Sequence, residues 1–181
     1  MNQERRVSRD FELRFPIADI PKYAGLYDYP GEAELIAGPV ARARTRGRLT
    51  YEEFLTIGKW KSQRPRKRQA ANPPGFVDEV TRIALARDTS PRLAIEVLTL
   101  LSGVEWPTAS VILHFCHQDP YPILDFRALW SLTVDVPTSY TYDFWARYSE
   151  FARQLAHRAG VDMRTLDRAL WKYSEMRQRA A

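Results

Sequence analysis

The residues of this chain whose types and spacing could do chemistry lie in one stretch, LLSGVEWPTASVILHFCHQDPYPILDFRALWSL, from Leu100 to Leu132. Within it, Asp125 follows PYPIL and stands directly before FRALWSL, the place of a helix N-cap. An N-cap Asp stays ionised and points in a fixed direction. Such a carboxylate can stabilise a developing oxocarbenium ion or position a water against it, the two needs of glycosidic bond cleavage. The alternative is that Asp125 only caps its helix.

A glycine-centred turn precedes the acid. One helix is expected to end at Gly103 and the next to begin at Trp106-Pro107. Glycine permits a positive φ, and the N-terminus of the second helix offers free N–H groups to a phosphate. Two helices joined in this way form a helix-hairpin-helix, which holds DNA backbone without reading bases. An ordinary corner between two helices is the alternative. The candidate DNA-binding residues here are Gly103, Val104 and Thr108.

Positive charge is concentrated in one segment. Val40–Ala70 contains ten Lys and Arg against two acids, a net of +8, so the rest of this +5 chain carries −3. A basic face on a slightly acidic body is typical of a protein with a polyanionic partner, although a solvated basic surface is also compatible with it. The candidate DNA-binding cations are Lys59, Lys61, Arg64, Arg66, Lys67 and Arg68.

Four aromatic residues are candidates for a base pocket. Trp60 lies beside the basic cluster, where it could stack on a base or pack in the core. Trp106 opens the helix after the hairpin, and Tyr140 and Tyr142 belong to an aromatic series, continued by Trp145 and Tyr148, that has mostly the spacing of a core face.

No metal site or other cofactor is predicted. Metal can be bound by histidine and cysteine, as at His114, Cys116 and His117, but side chains this close along one helix point in different directions. Cys116 is the only cysteine, which excludes a disulfide within the chain and a four-cysteine cluster.

The elements that must position these residues are helices. Capping signals at Thr50, Ser90, Thr141 and Asp162, with the expected closure at Gly160, predict seven or eight short helices and no strands. We therefore expect an all-α fold in a single compact multi-helix domain over residues 1–181. Residues 1–40 are expected to form an irregular N-terminal arm, and the polar stretch 62–75 a connector with no core of its own.

Composition sets further limits. A length of 181 residues is enough for one domain with a core, and 45% hydrophobic and 27% charged residues are typical of a soluble globular protein. No apolar run approaches the roughly 20 residues needed to span a bilayer, and the charged N-terminus has no signal-peptide core. We expect a cytoplasmic, nucleoid-associated monomer with no membrane partner.

The stretch LSGVEWPTASVILHFCHQDPYPILDFRAL resembles the signature of the helix-hairpin-helix (HhH-GPD) DNA glycosylase superfamily, approximately L-P-G-V-G-x-K-T-A, an apolar helix and P-x-x-D. The match covers residues 94–132, about a fifth of the chain. The family's catalytic Asp corresponds to Asp125 and its catalytic Lys to Pro107, 18 residues earlier as in the family. The resemblance implies a DNA-glycosylase-like helical fold with Asp125 as the catalytic residue.

The departures from the family pattern limit the chemistry. With Pro107 in place of the lysine, the Schiff-base reaction of bifunctional members is not expected unless Lys59 or Lys61 supplies the amine. Glu105 replaces the second glycine and Ser102 the usual proline, and the cysteines of an iron–sulfur cluster are absent. The resemblance thus implies a monofunctional glycosylase that removes a damaged or mismatched base from duplex DNA. The alternatives are a DNA-binding module without catalysis and a protein-interaction domain with a basic face.

Overall fold

The computed structural model describes residues 11–178, which are helical with no β-strand. The all-α class is therefore confirmed for this part of the chain. The chain divides into two compact units. The described part of the terminal unit consists of residues 11–28 and 121–178, and the central unit consists of residues 29–120. The prediction of one domain over residues 1–181 stays a prediction. No helix of residues 11–178 is long and apolar enough to cross a membrane.

The central unit holds the first long helices. The α-helices are numbered in chain order, and the first, α1 (Ile20–Gly25), belongs to the terminal unit. Those of the central unit are α2 (Glu32–Leu35), α3 (Ala41–Arg46), α4 (Tyr51–Lys61), α5 (Arg66–Ala70), α6 (Pro74–Ala84), α7 (Pro91–Leu98) and α8 (Trp106–Cys116). Helix α4 packs against α5, α6 and α8. Helix α7 packs against α6 and α8, and the core of the unit contains Phe54, Ile57, Ile95 and Ile112, all fully buried.

The described part of the terminal unit is built from two separate segments, residues 11–28 and 121–178. It contains α1 (Ile20–Gly25), α9 (Phe126–Ser131), α10 (Tyr142–Ala159) and α11 (Met163–Arg177). Helix α11 packs against the other three. Residues 11–15 join this unit through backbone hydrogen bonds from the N–H groups of Glu12 and Arg14 to the carbonyl oxygens of Leu132 and Ser131, both 2.9 Å long.

Local capping chemistry accounts for the helix starts. Thr50 and Glu53 form the predicted capping box, and the side chains of Ser90, Thr141 and Asp162 each accept a hydrogen bond from a first-turn N–H. Gly160 ends α10 with φ +64°, as expected for a glycine after a helix.

Two stretches are more helical than the sequence predicted. Residues 11–40 were expected to be irregular, yet they contain α1, α2, a 3₁₀ turn at Ile17–Asp19 and a π-helical turn at Ile36–Val40. The π turn carries the helix past Gly38-Pro39, because its wider hydrogen-bond spacing accommodates the missing N–H of Pro39. The connector 62–75 likewise contains α5, in which Gln69 is buried.

Candidate nucleic-acid interface and candidate active site

The hairpin turn of the central unit has the positive φ predicted for its glycine, but the helix before it ends earlier than Gly103, where the sequence predicted its end. Helix α7 ends at Leu98, and after a turn α8 begins at Trp106. Gly103 lies in this turn with φ +76°, in the left-handed region that favours glycine. A Cβ atom at Gly103 would stand 3.0 Å from the Arg68 Cβ atom and 3.0 Å from the Gln69 backbone nitrogen. Both the backbone angle and the close approach of α5 therefore require glycine here.

Two buried amide side chains fix the turn to α5. The Gln69 Nε2 group donates to the Gly103 carbonyl oxygen at 3.1 Å. The Asn72 side chain makes two bonds with Ser102, donating to its carbonyl oxygen at 2.9 Å and accepting from its N–H at 2.7 Å. Because Gln69 lies within α5 and Asn72 just after it, the turn and α5 are held together as one structure.

The cations that the sequence singled out lie around this structure. Lys59, Arg64, Arg66, Lys67 and Arg68 are exposed, and Lys61 is half-buried. The five exposed cations make no ion pair with an acid among residues 11–178. We call Lys59, Lys61, Arg64, Arg66, Lys67 and Arg68 the basic cluster. The charge of its five exposed members is thus available to a polyanion beside the hairpin turn.

The arginines earlier in the same segment have structural roles instead. Arg42 and Arg46 form ion pairs with Glu53 at 3.1 and 2.7 Å. Arg44 donates to the Phe115 carbonyl oxygen at 2.5 Å, and Arg48 pairs with Asp78 at 2.5 Å. The charge of Val40–Ala70 is therefore partly paired in its first half, whereas Lys59, Arg64, Arg66, Lys67 and Arg68 in its second half pair with no acid among residues 11–178.

Glu53 is the buried acid with which Arg42 and Arg46 form ion pairs. Burial by itself favours the protonated form of its carboxyl group, but hydrogen bonds from Arg46, the Thr50 backbone and Arg42 outweigh it and lower the pKa to about 2. The side chain is only 4% exposed and remains ionised at neutral pH. Glu53 is a structural residue, which the capping-box signal alone did not reveal.

The three hairpin residues proposed to contact DNA are buried. Gly103, Val104 and Thr108 are all largely inaccessible, and the Val104 N–H donates to the Leu101 carbonyl oxygen at 3.0 Å. Their observed role is packing, and their contact with DNA stays a prediction. Glu105, the departure from the family pattern, is exposed.

Asp125, in the terminal unit, caps α9 as predicted. Its Oδ1 atom accepts a hydrogen bond from the Arg127 N–H at 3.0 Å, while its backbone is extended, with φ −141° and ψ +144°. The residues before it, Tyr121 to Leu124, are buried. Asp125 itself is half-buried, so a rigid, apolar segment delivers a carboxylate that remains partly accessible.

Two tyrosines of the terminal unit respond to the charge of this acid. The Tyr148 hydroxyl donates to the Ile123 carbonyl oxygen at 2.7 Å and so fixes the segment before Asp125. Burial, followed by the charges of Asp167 and Asp125, raises the Tyr148 pKa well above its usual value. Burial and the Asp125 charge also raise the pKa of half-buried Tyr140. Tyr148 had only the spacing of a core aromatic, so its role in holding Asp125 was missed.

The other three candidates for a base pocket are Trp60, Trp106 and Tyr142, and each has its own surroundings. Trp60 makes T-shaped ring contacts with Tyr29 and Phe115, with centroids 5.1 and 5.2 Å apart. Trp106 is the first residue of α8 and is half-buried. Tyr142 is half-buried with its ring centroid 6.0 Å from that of Trp145.

The histidine and cysteine side chains of α8 and its C-cap are core groups. His114, Cys116 and His117 are buried, and burial raises the pKa of the Cys116 thiol to about 12. No group of three or more His, Cys, Asp or Glu side chains within residues 11–178 is placed to hold a metal ion. Cys116 is therefore protonated at neutral pH and is not suited to act as a nucleophile.

Comparison with known proteins returned no family model, no curated protein and no solved structure that matches this chain.

Proposed function

We propose that this protein is a monofunctional DNA glycosylase that removes a damaged or mismatched base from duplex DNA. One observation carries the proposal: Asp125 presents a partly accessible carboxylate that its own N-cap bond and the Tyr148-held segment before it keep in a fixed direction. Catalysis of glycosidic bond cleavage depends on a charge that is already in place when the cationic transition state develops.

The basic cluster supports the choice of DNA as substrate. Its exposed cations lie beside a hairpin turn whose backbone is fixed to α5 by Gln69 and Asn72. Cations on a rigid support neutralise phosphates and release counterions without reading sequence. Duplex DNA in the cytoplasm, at the nucleoid, is the polyanion that this reaction requires.

The proposed reaction is a hydrolysis. The bond between C1′ of the sugar and the base nitrogen breaks, and its electron pair leaves with the base. The Asp125 carboxylate stabilises the resulting positive charge on the sugar and positions a water. The water oxygen bonds to C1′, and the base takes up a proton. The products are the free base and an abasic site in an intact strand. Tyr140, whose pKa is raised by burial and by the Asp125 charge, is the aromatic candidate for a contact with the extruded base.

A panel of duplex oligonucleotides, each with one damaged or mismatched base, tests the proposal. We expect base loss from at least one substrate, with strand breakage only after alkali. Pro107 has no amine to form an imine with the abasic sugar, so borohydride should trap no covalent complex. Efficient trapping would contradict the monofunctional mechanism and point to Lys59 or Lys61.

The second candidate function is DNA binding without catalysis. The hydrogen bond from the Arg127 N–H to Asp125 favours it, since capping alone is a sufficient reason for an Asp at this position. Duplex binding without base loss from any substrate of the panel would support this function instead. Failure to bind duplex DNA at low salt would contradict both and favour an acidic protein partner.

A further inference from the structure

A cleft of about 780 Å³ opens within the central unit, beside the basic cluster. Its volume lies in the range of roughly 300–1,000 Å³ that small-molecule sites occupy. One part of its wall comes from Tyr29 to Pro39, and the other from α4 and the two residues after it, Ser62 and Gln63. Neither the hairpin turn nor Asp125 lines it. The cleft is therefore a separate feature from the groups assigned above to catalysis and to the hairpin.

The lining combines flat apolar groups with positive charge. Tyr29 and Trp60 contribute aromatic rings, and Pro30 and Pro39 contribute apolar rings. The rings of Tyr29 and Trp60 are in T-shaped contact, and Phe115 makes a second T-shaped contact with Trp60. This mutual packing fixes the orientation of the indole before any ligand arrives.

The charges of the cleft favour an anionic ligand. Lys59 and Lys61 line it against one acid, Glu34. After Lys61 the chain has no acid before exposed Arg64, Arg66 and Arg68, so the positive charge extends along it. A ligand with a planar ring and a phosphate on each side matches this combination, because aromatic side chains stack on bases while cations bind the backbone.

We propose that this cleft binds one unpaired nucleotide of a DNA strand whose neighbouring duplex lies on the basic cluster. The base stacks on Trp60, and Lys59 and Lys61 contact the phosphates on its two sides. Glu34, the carboxylate among the lining residues, can accept a hydrogen bond from an exocyclic amine, as carboxylates do with cytosine N4. The proposal rests on the DNA binding proposed above but not on catalysis by Asp125.

The test compares two fluorescein-labelled duplexes of equal duplex length, one blunt and one with a four-nucleotide cytosine overhang. Stacking of one base changes affinity by roughly 1–3 kcal/mol, so we expect the overhang to bind about tenfold more tightly in fluorescence anisotropy. Thr56 is exposed and lines the cleft, so Thr56→Trp should fill it and abolish the preference, while Thr56→Ala keeps it. Trp60→Phe should retain part of the preference, because it keeps a ring.

Charge variants provide an independent readout. Lys59→Gln with Lys61→Gln should reduce the overhang preference, whereas Arg82→Gln with Arg87→Gln, at exposed cations outside the basic cluster, should leave it unchanged. Equal affinity for both duplexes, or a preference that survives Thr56→Trp in a folded variant, overturns the inference and leaves the proposed function intact. Binding of neither duplex at low salt would overturn both. Preferential binding of an acidic peptide over the overhang would assign the cleft to a protein ligand instead.

Discussion

Replacing Gly103 affects stability in two ways, through backbone strain and through close packing against α5. Its φ of +76° disfavours any L side chain, and a Cβ atom would also meet the Gln69 backbone nitrogen at 3.0 Å. Gly160 has a similar φ of +64° but open space around the position of a Cβ atom. The two glycines are therefore a matched pair, alike in backbone strain and different in their surroundings.

We expect Gly160→Ala to lower the free energy of unfolding by about 1 kcal/mol, the cost of a left-handed conformation for an ordinary residue. Gly103→Ala should cost more, about 2–3 kcal/mol, because α5 must also move. Chemical denaturation of both variants measures the difference. Equal losses would mean that the contact between the hairpin turn and α5 is loose, and would remove the structural link between the hairpin and the basic cluster.

Glu53 makes stability depend on pH. Its pKa falls from an ordinary 4.5 to about 2 on folding, so its contribution is fully present above about pH 4.5 and is lost as the pH falls towards 2. Glu53→Gln retains the capping box but removes the charge. We expect it to reduce stability by about 2 kcal/mol at pH 7, a value discounted for the partial exposure of Arg42 and Arg46.

Denaturation of wild type and Glu53→Gln from pH 7 to pH 2.5 checks this dependence, and the two curves should converge in acid. Glu52→Gln is the matched control, since Glu52 is exposed in the same turn and should change stability by no more than about 0.5 kcal/mol. A constant difference between wild type and Glu53→Gln at all pH values would show that packing, and not the ion pairs, gives Glu53 its role.

At the scale of elements, local signals predicted the helices that begin with a polar cap. Thr50, Asp125, Thr141 and Asp162 each cap a helix through a bond within three residues, so short sequence windows contain the necessary information. Helix α5 has no side-chain cap. Its buried Gln69 binds Gly103, which is 34 residues away, so its position depends on a long-range contact that no local pattern records.

The same distinction holds for the candidate site. The acid at Asp125 and the glycine at Gly103 were recognisable, because each has a conformational signature in its own neighbours. The support of Asp125 by Tyr148, 25 residues from its partner Ile123, was not recognisable. The cleft beside Trp60 was not recognisable either, since its walls come from segments that are distant in sequence.

Helix α5 and the loop before it should determine how strongly DNA binding depends on salt. Each phosphate neutralised contributes about 0.9 to the slope of log affinity against log salt concentration. We expect Arg64→Gln with Arg66→Gln to reduce this slope by about 2 in anisotropy titrations with a blunt duplex. Arg82→Gln with Arg87→Gln should leave it unchanged. An equal effect of both pairs would mean that the basic cluster contributes only general charge.

At the scale of the whole molecule, the basic cluster and the helix-capping acid Asp125 occur in different parts of the chain. The central unit, residues 29–120, carries the basic cluster, the hairpin turn and the cleft. The terminal unit, described over residues 11–28 and 121–178, carries Asp125 with Tyr140 and Tyr148. The proposed function therefore predicts that binding and chemistry respond to different variants: neutralised cations should weaken binding, and changes at Asp125 should affect only the rate of base loss.

The rate of base release by Asp125→Asn under single-turnover conditions, on the best substrate of the lesion panel, tests this most directly. Asn caps a helix about as well as Asp, so the fold and the duplex affinity should be retained. The charge that stabilises the transition state is lost, which is worth several kcal/mol in a partly dry site. We expect the rate of base release to fall about 100-fold or more with nearly unchanged binding. A rate equal to that of the wild type would contradict the proposed role of Asp125 and leave it as a helix cap alone.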